Sequence, residues 1–256
     1  SALFYEQSNS LDAFGNVRML QGDTVSLDGD ILYYNGLDKL ARVRNNVVLV
    51  HGNTTLYTDS LDYDRLYNVG YFFEGGRLVT PDNDMTSDWG EYRPDLKLAI
   101  FNYNVHMVSP APPQKARTVL QSDTLYYYTE TSVANTRGPS TIDDGDSHIY
   151  TEYAYMNTNT NHLTLLQRSE MSSPGKKIIG DSIVWHSTDS VGEAFGNVIY
   201  TDIINKNAMT GNYCYYNDKL GYTLGTDSAC IMDFSQGSDT MYMHADSIKM
   251  YTHNIK

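Results

Sequence analysis

Asp181-Ser182-Ile183-Val184-Trp185, followed by Glu193-Ala194-Phe195-Gly196-Asn197-Val198-Ile199-Tyr200, decides how this chain is read. Laid over the N-terminus without a gap, Ser182 to Val198 matches Ser1 to Val17, where Asp12-Ala13-Phe14-Gly15-Asn16-Val17 recurs almost letter for letter. Self-similarity at a fixed period sets the architecture before any single motif is weighed.

An acidic residue opens each copy: Asp30, Asp59, Asp88, Asp123, Glu152, Asp181, Asn212 (a substitution) and Asp246, at spacings of 29, 29, 35, 29, 29, 31 and 34 residues. A further copy is already in progress at Ser1. Two residues after each opening come Ala2, Leu32, Leu61, Gly90, Leu125, Ala154, Ile183, Cys214 and Ile248. Four after come Phe4, Tyr34, Tyr63, Tyr92, Tyr127, Met156, Trp185, Tyr216 and Met250, all large and apolar or aromatic. The position between is mixed (Leu3, Asp62, Glu91, Tyr126, Lys249), so the apolar face returns every second residue, the period of a strand and not of a helix. Nineteen residues after the opening stand Met19, Leu49, Leu78, Met107, Ile142, Met171, Tyr200 and Ile231. Two residues earlier the side chains are mostly small or β-branched, as a half-buried strand prefers. Each copy therefore predicts two amphipathic strands, and eight to nine copies predict about sixteen or seventeen.

The chain reads as an all-β protein of 256 residues, one repeat-built domain over 1–256. Mean hydropathy is −0.44, and no run approaches the roughly 18 apolar residues of a membrane helix. No signal peptide is visible, but the copy in progress at Ser1 leads us to expect a fragment of a longer exported chain. Net charge is −13, from 18 basic and 31 acidic residues, and no Lys/Arg cluster exceeds Lys176-Lys177. That balance argues against nucleic acid as a partner, since phosphate contacts need a basic footprint. Cys214 and Cys230 fall on opposite faces of their strands, which argues against a disulfide and for two small buried or half-buried thiols.

Turns are expected at Asn35-Gly36, Asn45-Asn46, Gly75-Gly76 and Pro81-Asp82-Asn83, and a bulge or turn with positive φ at Gly15-Asn16. Ser109-Pro110-Ala111-Pro112-Pro113-Gln114 cannot continue a sheet and predicts a protruding tip. Pro174-Gly175-Lys176-Lys177 predicts a basic turn. The recurring Asp with Ser or Thr after it could be a calcium ladder, but one carboxylate per copy is too few. It is better read as a short polar side chain that bonds nearby backbone at a strand entrance. Asp143-Asp144-Gly145-Asp146 is the best cation candidate, yet it lacks the bidentate Glu. The seven histidines (His51, His106, His148, His162, His186, His244, His253) offer no metal-site pair on one strand. Nothing argues for an enzyme, a metal or a cofactor.

The Asp-Ser/Thr-x-x-Tyr opening (Asp59 to Tyr63, Asp123 to Tyr127), the Ala-x-Gly-Asn-Val exit (Ala13 to Val17, Ala194 to Val198) and the variant Val43 to Val47 resemble the repeat of the OstA-like family. That family comprises the periplasmic lipopolysaccharide-transport proteins A and C and the N-terminal domain of translocon protein D. The resemblance covers essentially the whole chain. It implies an elongated antiparallel β-jellyroll of two sheets in a V, holding the acyl chains of lipid A between the sheets. It further implies a periplasmic location and stacking through edge strands with like domains or further copies, toward the outer-membrane translocon. On this reading the lipid-binding residues are the inward columns: Phe4, Tyr34, Leu61, Tyr63, Tyr92, Leu125, Tyr127, Met156, Ile183, Trp185 and Tyr216 from the first strands, with Leu49, Met107, Met171 and Tyr200 from the second. The competing reading is an extracellular β-solenoid that holds polysaccharide on exposed tyrosines. Its outward positions (Tyr33, Asp62, Glu91, Tyr126, Tyr155, Tyr215) are only half aromatic. An outer-membrane barrel would need a second consistently apolar face, which the columns lack.

Overall fold

The computed structural model describes residues 1–109, 117–186, 189–237 and 239–251. These form β-strands joined by short turns, with one 3₁₀ turn at Pro94–Leu96, and no helix among them is long and apolar enough to cross a membrane. The chain divides into two compact units, Ser1–Pro110 with Leu120–Val133, and Ala111–Val119 with Ala134–Lys256.

The first unit contains β1 (Ala2–Tyr5), β2 (Ser10–Gln21), β3 (Val25–Asn35), β4 (Leu40–His51), β5 (Thr54–Asp64), β6 (Val69–Phe72), β7 (Gly76–Val79), β8 (Asp84–Ser87), β9 (Trp89–Arg93), β10 (Leu98–Ser109) and most of β11 (Thr118–Tyr128). The second contains β12 (Val133–Asp143), β13 (His148–Thr151), β14 (Tyr153–Asn157), β15 (His162–Ser173), β16 (Lys176–His186), β17 (Val191–Asp202), β18 (Asn207–Asn217), β19 (Tyr222–Asp233) and β20 (Met241–Tyr251). Three strands of the array are interrupted, β6/β7, β8/β9 and β13/β14. Counted as one each, they bring the described strands to seventeen, within the sixteen or seventeen that the repeat predicts. Neighbours pair antiparallel, as β2 with β3, β3 with β4 and β4 with β5 in the first unit, and β15 through β20 in order in the second.

The 12-residue strands β2, β4, β15, β17 and β19 carry a bulge at their middle. The register slips between Phe14 and Val17, between Arg44 and Val47, and between Phe195 and Val198, the places where Gly15, Asn16, Asn45, Asn46, Gly196 and Asn197 hold positive φ. Two residues bulge there against one on the neighbour, which turns the strand from one layer into the other. The Asn45-Asn46 pair is thus a bulge and not the turn expected, because both asparagines spend their left-handed conformation inside β4. The opening acid faces this bulge. It sits at the middle of an 11-residue strand and not at its entrance (Asp30 in β3, Asp59 in β5, Asp181 in β16) or at the break of an interrupted one (Asp88, Glu152). There it receives the bulge asparagine sixteen residues on: Asn46 Nδ2 donates to Asp30 at 2.7 Å, Asn104 to Asp88 at 2.6 Å and Asn197 to Asp181 at 2.8 Å. In one case it also takes a backbone group, the Asn46 N–H at Asp59 (3.2 Å).

The bend makes two layers. In the first unit one layer carries the cross-strand row Leu27, Leu49, Leu56, Leu78, Met85 and Met107. The other carries Tyr34, Ala41, Tyr63, Gly70, Tyr92 and Ala99, alternating large and small. The rows face each other: a Cβ at Gly70 would meet Leu49 Cδ1 at 3.5 Å and Tyr63 Cδ2 at 3.4 Å. The glycines and alanines make the space that the tyrosine rings fill, as a close-packed interior requires. Residues 110–114 of the proline-rich tip, Ser238, His253 and the C-terminal Lys256 lie outside the described residues.

Candidate functional site

The inward residues divide by unit. In the first, Leu49, Leu61, Tyr63, Tyr92, Met107, Leu125 and Tyr127 are completely buried. They form a closed core there. Tyr34 is half-buried, and Phe4, on edge strand β1, is 60% exposed, so it does not join an interior column. In the second unit Met156, Ile183 and Tyr200 are buried, while Met171, Trp185 and Tyr216 are half-buried. Met171, Ile183, Trp185, Tyr200 and Tyr216 come together around a cavity of about 270 Å³. That is near the small end of ligand pockets, which run from about 300 to 1,000 Å³, and suits a segment of a chain-like ligand.

Why the layers part here follows from one column. At Tyr92 and Tyr127 the phenol of this column bridges to the rim of the opposite layer, and at Tyr63 it does so through Asn68. Tyr92 Oη lies 2.8 Å from His51 Nδ1, and Asn83 Nδ2 donates to Tyr127 Oη at 2.7 Å. Tyr63 donates to Asn68, which also receives Gln21 Nε2 at 3.2 Å. At Met156 and Trp185 the phenol is missing. The indole instead stacks toward Tyr216 (ring centroids 6.2 Å) and rests over Gly192, and the rim beside it stays parted. Tyr216 restores the bridge in the next copy: Lys176 Nζ donates to its Oη at 2.9 Å, and the phenol donates to Asp218 at 2.6 Å. Burial together with the Asp218 carboxylate holds the Tyr216 phenol well above its ordinary range.

Deeper in the cavity the buried Tyr200 hydroxyl has only the Thr223 hydroxyl as a hydrogen-bonding partner. Burial raises the Tyr200 phenol far beyond its usual value, so it is a neutral donor. The charged lining is mixed. Lys177 is paired with Glu170 at 2.7 Å, and Glu193 accepts from Tyr213 at 2.6 Å. Ile178 and Gly192 also line the cavity, and the inward columns missed both. Ile178 belongs to a further apolar row, Leu27, Leu56, Met85, Leu120, Ile149, Ile178, Met209 and Met243, three residues before each opening position.

The other candidate centres resolve as ordinary contacts. Asp143 pairs with His148 at 2.5 Å and Asp144 accepts the Ser147 N–H at 2.9 Å, closing their own hairpin turn. No group of three or more His, Cys, Asp or Glu among the described residues could hold a metal ion. His162 and His186, cross-strand partners, bring their Nδ1 atoms to 3.1 Å, a pair that single-strand spacing did not reveal. Cys214 and Cys230 are both buried and free.

Residues 1–114 match the family model described as OstA-like protein. Residues 69–172 match the model described as lipopolysaccharide-assembly, LptC-related. Among solved structures the chain is similar to LptH of Pseudomonas aeruginosa, described as the LptA homologous periplasmic component of the conserved lipopolysaccharide transport device. The identity is 13%, the alignment covers 44% of this chain and 81% of that one, and the TM-score is 0.39. None of the curated proteins matches. Strands β16 to β18, which carry most of the cavity, lie beyond both matched ranges.

Proposed function

We propose that this chain, which matches the OstA-like model over residues 1–114 and the LptC-related model over 69–172, is a non-catalytic periplasmic conduit, holding lipopolysaccharide acyl chains between its two layers on the way to the outer membrane. The observation that carries this reading is the parted rim of the second unit, where Met171, Trp185 and Tyr216 stay half-exposed around an apolar cavity. A buried acyl chain gains about 0.8 kcal/mol per CH₂, so eight carbons supply on the order of 6 kcal/mol before ordering costs. The net charge of −13 opposes an anionic glycolipid only weakly, because exposed charges are screened beyond roughly 8 Å. The inward columns of the first unit serve the conduit as its closed part, opening when the phenol bridges release. The period running through residues 1–256 supports one repeat-built domain. Exposed apolar side chains on β20 (Met241, Tyr242, Met243) support stacking with like domains by strand addition.

The test is photocrosslinking in cells, with a photoreactive residue at Trp185 and, separately, at Val184 on the opposite face of the strand. Lipopolysaccharide attached at position 185 and not at 184 is the expected result. Labelling at neither position would remove the conduit reading for this cavity.

A further inference from the structure

Resting on that reading, we propose that the second unit's cavity selects amphiphiles with an anionic oxygen group next to the chain, a phosphate or carboxylate, and that Lys176 and Tyr200 are its receivers. Three observations converge. Lys176 opens β16 at the edge of the cavity with its side chain 27% exposed, and its ammonium has three donors. Tyr216 Oη takes one of them and the exposed Asp218 carboxylate, which also accepts from the Tyr216 phenol, pairs with the ammonium at 3.8 Å, which leaves a third donor. The other charged groups of the lining, Lys177 and Glu193, are each held by a partner outside the cavity.

The second observation is the buried pair of the Tyr200 and Thr223 hydroxyls, which have only each other, so that one of their two O–H groups is left without an acceptor; Tyr200 lies on the cavity wall and is only 3% exposed. An unmet donor in such a place costs stability until an acceptor arrives. The third is register. Ile178 faces Tyr200 across β16 and β17, and Lys176 faces Asp202, so Lys176 and Tyr200 lie on one face of the sheet one step apart. Asp202 faces Lys176 without forming an ion pair with it, and Asn205 donates to its two oxygens at 2.9 and 2.8 Å. An acyl chain laid against Ile183 and Trp185 therefore brings its first oxygen group to a neutral donor inside and a cation at the rim.

The experiment follows Trp185 fluorescence in a Trp89→Phe chain titrated with dodecyl phosphate, dodecyl maltoside and inorganic phosphate. Dodecyl phosphate should bind at least about tenfold more tightly than the maltoside, the size of one charge-assisted contact. Lys176→Met should abolish that preference and leave maltoside binding unchanged, whereas Lys177→Met should keep it. Tyr200→Phe should weaken dodecyl phosphate binding by more than Thr223→Val does, while the melting temperatures of the two unliganded variants fall by the same small amount, because each loses the same hydroxyl pair. Equal affinity of the wild type for the two amphiphiles would overturn the headgroup inference and leave the conduit reading standing. Binding of neither amphiphile would overturn both. Inorganic phosphate binding as tightly as dodecyl phosphate would replace the amphiphile site with a free-anion site.

Discussion

The Trp185 ring rests on the backbone of its cross-strand partner Gly192: a Cβ built on that glycine would stand 2.8 Å from Trp185 Cε3. The cavity wall thus has its shape because one residue has no side chain. Gly192→Ala should push the indole toward solvent, with the roughly 1–3 kcal/mol penalty of overpacking. A urea titration and the emission maximum of Trp185, read in a Trp89→Phe chain, check it. An unchanged emission maximum would show that the glycine does not set the ring position.

Asn197 holds φ at 46° while its amide donates to Asp181, which also takes Arg168 Nη1 at 3.0 Å. Asn197→Ala keeps the strained backbone and loses the bond, so it should cost roughly 1–2 kcal/mol. Asn197→Gly relieves the backbone and should recover most of that loss, which denaturation midpoints will resolve. The Asn197 and Arg168 hydrogen bonds hold the Asp181 carboxyl below its ordinary range. Their contribution is therefore present above the unfolded carboxylate value and lost as pH falls through the depressed one. The midpoints of wild type and Asn197→Gly should converge in strong acid.

His51 is held below the usual imidazole value by burial first and by Lys97 second, with Asp95 opposing, while its Nδ1 meets the Tyr92 phenol. A depressed value means that the unfolded chain binds the proton more readily. The neutral imidazole thus stabilises the fold above about pH 6.5, and that stability is lost as pH falls through the lower folded value. The wild type should lose more stability than His51→Gln between pH 7 and 5. Parallel pH profiles of the two denaturation midpoints would show that the bridge does not sense acid.

Much of this was legible from period alone: the strand count, the two-residue alternation and the apolar columns that hold Tyr63, Tyr92 and Tyr127. What was misplaced was the strand centre. The opening Asp looks like an entrance because the apolar columns were counted forward from it, and the equally regular row at Leu27, Leu56 and Met85 before it went unread. The bend itself was written in the sequence as Asp followed sixteen residues later by Asn (Asp30 and Asn46, Asp88 and Asn104, Asp181 and Asn197). Which part of the interior opens was harder to see, since leucine and tyrosine serve a closed core and a lipid trough alike. The discriminating signal is loss of the phenol at Met156 and Trp185, which acquires meaning only once His51 and Asn83 are seen across the rim from Tyr92 and Tyr127.

Burial pushes the Cys214 thiol up to about 12. The thiolate is the reactive form, so almost none is present near neutral pH. In a Cys230→Ser chain, Cys214 should stay unlabelled by a disulfide reagent at pH 8 and react completely once urea unfolds the protein. Stoichiometric labelling of the native chain would mean that the second unit opens far more often than its burial implies.

Aspartate substitutions should separate core from cavity. Tyr63 and Tyr127 are completely buried, so Tyr63→Asp or Tyr127→Asp places an uncompensated carboxylate in a packed interior. Several kcal/mol lost from a total of about 5–15 would leave the first unit largely unfolded, and any loss of lipid binding would then be secondary. Trp185 is half-exposed at a parted rim, where a new carboxylate stays hydrated. Trp185→Asp should therefore keep a cooperative melt and a native circular dichroism spectrum while lipopolysaccharide crosslinking from a neighbouring cavity position, Met171, disappears. If Trp185→Asp melts like Tyr63→Asp, the second unit is a closed core too. If it folds and still crosslinks as the wild type does, the acyl chain runs elsewhere.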